Sequence, residues 1–199
     1  LDAIMHRLAG RPQVEQTEQL FEEEIRSIVS EGHREGLLEE DAREMIQGVM
    51  ELSDVDVAKV MTPRTDVVMM SVDLSWEAII RFVIGSAHTR IPVHGKTRDD
   101  IVGILYVKDL LPLMASDEAK PALREVLRTP HYVPETKRLD DLLEEFQQTR
   151  NHMALVLDEY GGVSGLVSIE DVLEEIVGDI VDEYDQEAEE EFRVVDDHT

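Results

Sequence analysis

Several residue types are absent or scarce in this 199-residue chain, and each absence excludes something. There is no cysteine, which excludes disulfide bonds and a thiolate metal site. Lys and Arg number only 19 against 45 Asp and Glu, giving a formal net charge of -26. Because such a surface repels nucleic acid and anionic lipid, neither is an expected partner, and divalent cations are the natural counterions. The apolar runs are far shorter than the roughly 20 residues of a membrane span.

A catalytic residue set is absent as well. The seven His residues include no His-x-x-x-His pair, and there is no G-x-x-x-x-G-K-[ST] loop for phosphate transfer. The Gly161-Gly162 pair predicts a hairpin turn, and carboxylate pairs such as Glu174-Glu175 are typical of a solvated helix face. We therefore predict that the chain is not an enzyme.

The most informative feature present is an internal repeat. The segment IVGILYVKDLL, which begins at residue 101, returns as VSGLVSIEDVL at Val163. Gly103 thereby matches Gly165, and Asp109 matches Asp171. Each copy is typical of a buried strand that leads into an amphipathic helix. The repeat predicts two pseudo-symmetric subdomains that share a core, with the functional site in the cleft between them.

The repeat lies within a predicted α+β chain of four parts. Residues 1–57 have the apolar spacing of a helical hairpin with acidic outer faces, interrupted at the glycines between 32 and 36. Residues 58–120 and 121–185 each predict a β-α-β-β-α order, with Ser75 as an N-cap in the first. Residues 186–199 predict an acidic, flexible tail.

Three segments carry a family resemblance: VMTPR, RIPV and the long run DEYGGVSGLVSIEDVLEEIVGDIVDEYD. They resemble the tandem CBS domains (Bateman module) of the CorC/HlyC family of bacterial magnesium and cobalt efflux proteins, which are similar to animal CNNM proteins. The resemblance covers about residues 15 to 186. It implies a homodimer formed through the CBS domains and an adenosine nucleotide, ATP with Mg²⁺, as ligand.

The resemblance also implies a place for the chain in a longer protein. Many family members carry a transmembrane domain before the acidic helices, so we expect this chain to be the cytosolic portion of an inner-membrane protein. A wholly cytoplasmic parent is the alternative. The start at Leu1 and the lack of a signal peptide agree with a fragment.

Ser168 and Asp171 are the first candidate site residues. From the residues alone, their S-x-x-D spacing at a helix start favours a capping box, which satisfies backbone N–H groups. The family resemblance implies a second role, in which this hydroxyl and carboxylate hold the ribose of the nucleotide. A carboxylate can accept from both ribose hydroxyls. In the other copy Tyr106 replaces the serine while Asp109 is kept, so we expect one nucleotide per chain.

The segment HTRIPV supplies the second set of candidates. Pro92 by itself indicates a rigid strand start, and Arg90 by itself indicates a surface ion pair. The resemblance implies that this segment lies beside the nucleotide, with the backbone and Arg90 facing the phosphates. The nucleotide-binding set implied by the resemblance is Thr62, His88, Thr89, Arg90, Ile91, Pro92, Ser168 and Asp171. Thr62 stands at the adenosine end, although a Thr-Pro pair equally indicates a turn.

The predicted function is that of a regulatory nucleotide-binding module in a magnesium/cobalt efflux protein, coupling ATP and Mg²⁺ to dimer conformation and ion transport. Two alternatives stay open. The chain could be a ligand-free structural dimerisation module, or its acidic helices could sense divalent cations directly. No residues are predicted as metal ligands.

Overall fold

A computed structural model describes residues 11–115 and 119–178 of the chain. These residues divide into two units. The helical unit contains residues 11–53 and 173–178, and the mixed unit contains the remaining described residues between 54 and 172. The predicted acidic tail, residues 186–199, lies outside the described residues.

The helical unit is built on a pair of helices, α1 (Arg11–Arg34) and α2 (Glu40–Glu51), with a 3₁₀ turn at Leu52–Asp54. Arg26 pairs with Glu51 at 3.2 Å and His33 with Glu40 at 2.9 Å, so the two helices run antiparallel. The predicted hairpin is confirmed, but α1 continues through Gly32 and ends later than the glycine signal indicates. Phe21, Ile28 and Val49 are more than half exposed.

The first copy of the repeat has the predicted β-α-β-β-α order. It consists of β2 (Met70–Ser71), α4 (Trp76–Ser86), β3 (Arg90–His94), β4 (Ile101–Tyr106), a 3₁₀ turn at Val107–Asp109 and α5 (Leu110–Ala115). Its strands form one sheet in the order β2-β3-β4. The Ser75 side chain accepts from the Ala78 amide at 3.3 Å, which confirms the predicted N-cap of α4.

The second copy repeats this order after a short helix. It consists of α6 (Leu123–Val126), β5 (Tyr132–Pro134), α7 (Leu139–Thr149), β6 (Met153–Leu157), β7 (Val163–Ser168) and α8 (Ile169–Val177). The predicted hairpin turn between β6 and β7 is confirmed. Gly161 adopts φ +82, and the Asp158 carboxylate accepts from the amides of Tyr160 and Gly162.

One strand of the first copy is paired in the sheet of the second copy. After α3 (Val57–Val60), β1 (Thr62–Pro63) pairs antiparallel with β7, which gives a second sheet in the order β1-β7-β6-β5. The sequence assigns this segment to the first copy, and its strand pairs with a strand of the second copy. The close approach requires Gly165, because a Cβ there would lie 2.6 Å from the Thr62 carbonyl oxygen.

The reciprocal exchange occurs in the first copy. Arg128 bridges to Ile104 on β4, with its amide 3.0 Å from the Ile104 oxygen and its oxygen 2.9 Å from the Ile104 amide. Gly103 makes this possible, because a Cβ there would lie 2.6 Å from Leu127 Cβ. Both glycines of the repeat therefore admit a segment that comes from outside their own copy.

The mixed unit has a core for the first copy and a smaller core that both copies share. Fully buried members of the first include Met70, Ile79, Ile91, Val93 and Leu105. The shared core joins Ile104 of β4 to Leu155 of β6 and Val163 of β7. This confirms the shared core predicted from the repeat.

Candidate functional site

The cleft between the two copies gathers half of the predicted site residues. It is a cavity of 110 Å³ lined by Thr62, Asp66, Val67, Val68, His88, Arg90, Pro92, Met153 and Leu166. Four of these lining residues, Thr62, His88, Arg90 and Pro92, belong to the predicted site. Met153 and Leu166 come from the second copy. Both copies thus contribute to one cavity, as the repeat predicts.

Strand pairing positions the residues that line the cleft. Thr62 stands opposite Leu166 in the β1-β7 ladder, so the exchanged strand delivers it. Arg90 begins β3 opposite Tyr106, and the buried Pro92 stands opposite Ile104. Because these residues lie on paired strands of the two sheets, the cleft has rigid walls.

Two predicted residues lie beside the cavity rather than in it. Ile91 is 0 % exposed and belongs to the core of the first copy, so it lines neither cavity near the cleft. Thr89 lines a neighbouring cavity of 430 Å³ together with Arg90, Tyr106, Val107, Lys108 and Leu111. Arg90 lines both cavities and therefore joins them.

Ser168 and Asp171 form the predicted capping box. The Asp171 Oδ2 atom accepts from the Ser168 amide at 2.7 Å and from the Ser168 hydroxyl at 2.9 Å, and the same hydroxyl accepts from the Asp171 amide at 3.2 Å. Both bonds to the carboxylate fall on Oδ2. Neither residue lines the 110 Å³ cavity, but Ser168 pairs in the ladder with Met153, which does.

Charge near the cleft is mixed. Arg90 Nη1 lies 3.8 Å from Glu170 Oε1, which connects the cleft to the first turn of α8. The Glu170 side chain is 64 % exposed and the Arg90 side chain 22 %. A pair this long and this open to solvent contributes little, so Arg90 can exchange its partner for an anionic ligand at small cost.

An arginine that the sequence analysis missed, Arg128, lies beside Asp109 and Tyr106 of the first copy. Arg128 Nε lies 2.8 Å from Asp109 Oδ2 and Nη2 lies 2.9 Å from Oδ1, a forked ion pair. Its guanidinium carbon is 4.1 Å from the centre of the Tyr106 ring. The neighbouring sequence holds no signal for this role, because Asp109 and Ile104, its partners, belong to other elements of the fold.

A second charged cluster lies in the second copy, away from the cleft. Glu145 pairs with Lys137, and this hydrogen bond lowers the pKa of the Glu145 carboxyl below its usual value. His131 Nε2 is 2.9 Å from Glu145 Oε1, but this buried nitrogen lacks the alignment of a hydrogen bond.

In residues 11–115 and 119–178, no three His, Cys, Asp or Glu side chains are grouped so that they could hold a metal ion. No helix in these ranges is long and apolar enough to cross a membrane.

Comparison with known proteins identifies both copies. A family model for the CBS domain matches residues 56–116 and 123–178. The magnesium and cobalt efflux protein CorC of Salmonella typhimurium is 45% identical over 177 residues, which cover 89% of this chain and 61% of that protein. The chain thus spans somewhat less than two thirds of the length of this curated relative.

Two solved structures are similar in fold and sequence. One is the CBS domain of the bacterial CNNM/CorC family Mg²⁺ transporter in complex with ATP, with TM-score 0.65, 38% identity and coverage of 69% of this chain and 97% of that one. The other is a CBS-domain pair with bound AMP from Klebsiella pneumoniae, with TM-score 0.57, 35% identity and coverage of 62% and 99%. The chain therefore belongs to the CNNM/CorC family, of which it is the CBS-domain pair.

Proposed function

We propose that this CBS pair is a regulatory module that binds an adenosine nucleotide, ATP with Mg²⁺, in the cleft between its two copies. One observation carries the proposal: the Asp171 carboxylate is held by two hydrogen bonds from Ser168, whose ladder partner Met153 lines a cleft together with Thr62 and Arg90 of the other copy. The ATP and AMP complexes of the two similar structures support the choice of ligand class.

Asp171 would receive the ribose. The capping box engages Oδ2 and fixes the plane of the carboxylate, so Oδ1 is the oxygen available to a ribose hydroxyl. Hydrogen bonds to an ionised carboxylate belong to the stronger class. Thr62 on the exchanged strand would lie at the adenosine end, beside the apolar side chains of Met153 and Leu166.

Arg90 would direct the phosphates. The 110 Å³ cleft is smaller than the roughly 300–1,000 Å³ of typical ligand pockets, so it has room for only part of a nucleotide. The neighbouring 430 Å³ cavity shares Arg90, contains Thr89 and brings in Lys108, so a polyphosphate that leaves the cleft past Arg90 meets a second cation. The backbone of His88, Thr89 and Pro92 would complete this side.

Mg²⁺ would accompany the nucleotide. The chain carries a net charge of -26, so a polyphosphate enters against an unfavourable field unless a cation reduces its charge. Mg²⁺ is commonly bound through substrate phosphates and one or two carboxylates. Glu170, which lies 3.8 Å from Arg90 in the first turn of α8, would supply such a carboxylate.

Regulation would follow from the shared cleft. Because Arg90 belongs to the first copy and Asp171 to the second, a bound nucleotide favours the arrangement of copies that contacts both. We propose that this arrangement sets how two chains pair as a homodimer. The change is then transmitted, from the cytoplasmic side, to a transmembrane domain of the same protein. The exposed apolar residues Ile84, Leu111 and Met114, on helices of the first CBS domain, are available for such pairing. The chain acts as a binding module and not as an enzyme, in a protein that exports magnesium or cobalt.

Isothermal titration calorimetry tests the proposal against its alternatives. We expect ATP to bind, more tightly with Mg²⁺, and Asp171→Ala to weaken it. A ligand-free dimerisation module would show no heat with ATP while sedimentation still reports a dimer. A direct cation sensor would bind Mg²⁺ without nucleotide, and Asp171→Ala would leave that binding intact.

A further inference from the structure

A further pocket lies at the end of β7 that the proposed nucleotide site does not use. That site takes Ser168, the last residue of β7, whereas this pocket takes Val163, the first. It is a cavity of 280 Å³ lined both by the loop that ends at Asp100 and by the turn at Gly161. We call it the hairpin pocket, because the β3–β4 hairpin of the first copy and the β6–β7 hairpin of the second both line it.

Much of the lining of the hairpin pocket is apolar. Ile101, Leu157 and Val163 line it, and all three belong to the core that the two copies share. Tyr132, the first residue of β5, adds an aromatic ring and is 41% exposed. A ligand of this pocket therefore needs an apolar part that packs on these side chains.

The charge on the lining of the pocket is negative. It comes from two carboxylates, Asp99 and Asp100. Asp99 pairs with Arg64. The Oδ2 atom of Asp100 accepts from the amide of Lys96 at 3.3 Å, and no Lys, Arg or His in residues 11–115 and 119–178 forms an ion pair with this carboxylate. The pocket thus offers one carboxylate that no described cation neutralises.

The Tyr132 ring and the Asp100 carboxylate lie close enough to act on each other. Burial raises the pKa of the Tyr132 hydroxyl, and the negative charge of Asp100 raises it further. A ring face and a carboxylate in the same small space both attract a cation. A guanidinium suits the pair best, because its planar group stacks on an aromatic ring and also donates to a carboxylate.

We propose that the hairpin pocket binds the side chain of an arginine that a basic segment of a partner protein presents. The methylene stem would pack on the apolar lining, while the guanidinium stacks on Tyr132 and donates to Asp100. The volume lies just under the roughly 300–1,000 Å³ of pockets for whole small molecules, which suits a single side chain. Charge complementarity favours this occupant, since a chain with a net charge of -26 attracts a basic partner.

An exposed aromatic residue beside the pocket extends this surface. Tyr160 is 89% exposed and precedes Gly161 in the β6–β7 turn. Its amide donates to the Asp158 carboxylate at 2.9 Å, so the turn is held while the ring is open to solvent. An apolar residue next to the arginine of the partner would pack on this ring. The exposed tyrosine of the DEYGG run thereby gains a role that the proposed nucleotide site does not give it.

An NMR titration of the whole chain with N-acetyl-arginine amide tests the proposal. We expect the backbone amide signals of Ile101, Tyr132 and Gly161 to shift and to saturate. N-acetyl-citrulline amide, which has the same shape without the charge, should leave them in place. A short peptide in which leucine follows the arginine should bind more tightly than the amide, and Tyr160→Ser should remove that gain.

Substitutions in the pocket separate its two attractions. Asp100→Asn should weaken binding of the arginine probe about tenfold or more, because it removes the charge and keeps an oxygen for the Lys96 amide. Tyr132→Leu should weaken it about two- to fivefold, the range of an exposed cation–π contact. Glu77→Gln is the matched control, because it removes one charge from an exposed carboxylate that lines a different cavity. Thermal unfolding reports the fold of each variant.

Several results would overturn the proposal. Equal shifts with the arginine and citrulline probes would show that charge does not matter, as would a folded Asp100→Asn variant that binds like the wild type. Mg-ATP that competes with the arginine probe would assign the pocket to the nucleotide. Tighter probe binding in Arg7→Ala would make the N-terminal segment of the chain the occupant. Weaker self-association of Asp100→Asn in sedimentation would make a second copy the occupant.

Discussion

Ser168 and Asp171 bond to each other in both directions: the serine hydroxyl donates to Asp171 Oδ2 at 2.9 Å and accepts from the Asp171 amide at 3.2 Å. The capping box is thus present, yet it engages one oxygen of the carboxylate. A helix cap and a ribose contact are compatible in a single side chain, because they use different oxygens. Substitutions here should therefore affect both stability and ligand affinity.

Replacing Asp171 tests the ribose contact. We expect Asp171→Ala to weaken ATP binding by about 1.5–3 kcal/mol, the range for a hydrogen bond to a charged group. Loss of the cap should also lower the free energy of unfolding by about 0.5–2 kcal/mol. Calorimetry and thermal unfolding measure the two effects. Glu174→Ala, on the exposed side of the same helix, is the matched control. A folded Asp171→Ala variant with unchanged ATP affinity would refute the assignment of Asp171 to the nucleotide site.

Removing Mg²⁺ tests the acidic helices. Arg26, Arg34 and Arg43 offset only some of the carboxylates on α1 and α2, so chelation should leave like charges unscreened. We expect the helical hairpin to exchange its amide hydrogens faster, and self-association to weaken. Hydrogen exchange in Mg²⁺ and in chelator, at matched ionic strength, measures this. Identical exchange in the two conditions would contradict it.

Replacing Gly165 tests the exchanged strand. A Cβ at this position would lie 2.6 Å from the Thr62 oxygen, so Gly165→Ala should push β1 away from β7. We expect the free energy of unfolding to fall by about 1–3 kcal/mol, as for other overpacked sites, and ATP affinity to fall because Thr62 is displaced. Chemical denaturation and calorimetry report the two effects.

Gly85 supplies the control for that substitution. It lies in α4, and a Cβ there would meet nothing within 4 Å. Gly85→Ala should therefore stabilise the chain slightly, by less than the roughly 0.5–1 kcal/mol of a helix interior, because residue 85 is next to the last residue of α4. Equal effects of the two substitutions would show that the approach of Thr62 to β7 is not tight.

The Glu145 cluster predicts a pH dependence. Lys137 holds the pKa of the Glu145 carboxyl in the folded state below its ordinary value of 4.5. The ion pair between Lys137 and Glu145 therefore stabilises the folded state fully at pH values above the ordinary pKa of the carboxyl. This contribution is lost as the pH falls through the folded-state pKa. We expect Glu145→Gln to be less stable than wild type at pH 7, by a margin that shrinks in acid.

Denaturation curves at several pH values measure this margin. Glu144→Gln is the control, because it removes the same charge from the same helix at a residue that bonds to Gln148. A stability difference for Glu145→Gln that does not change between pH 7 and acid would show that the ion pair with Lys137 does not stabilise the fold.

Local signals in the sequence were sufficient for most of the fold. The doubled β-α-β-β-α order, the N-cap at Ser75 and the Gly161-Gly162 turn follow from periodicity and from residues adjacent in the chain. The capping box of Ser168 and Asp171 is local in the same sense. Such features are encoded within a few residues, so they can be predicted without knowing what packs against them.

The pairing of residues that are far apart in the chain was decided only by the tertiary structure. Nothing near Thr62 in the chain indicates that it pairs with Leu166 in the other copy, and nothing near Arg128 indicates that it bridges to Ile104 and reaches Asp109. These partners are chosen by strand register and by the space that Gly103 and Gly165 leave open. The sequence by itself therefore determined the elements and the repeat, while packing decided which residues share a cleft, because contact across sheets depends on the whole fold at once.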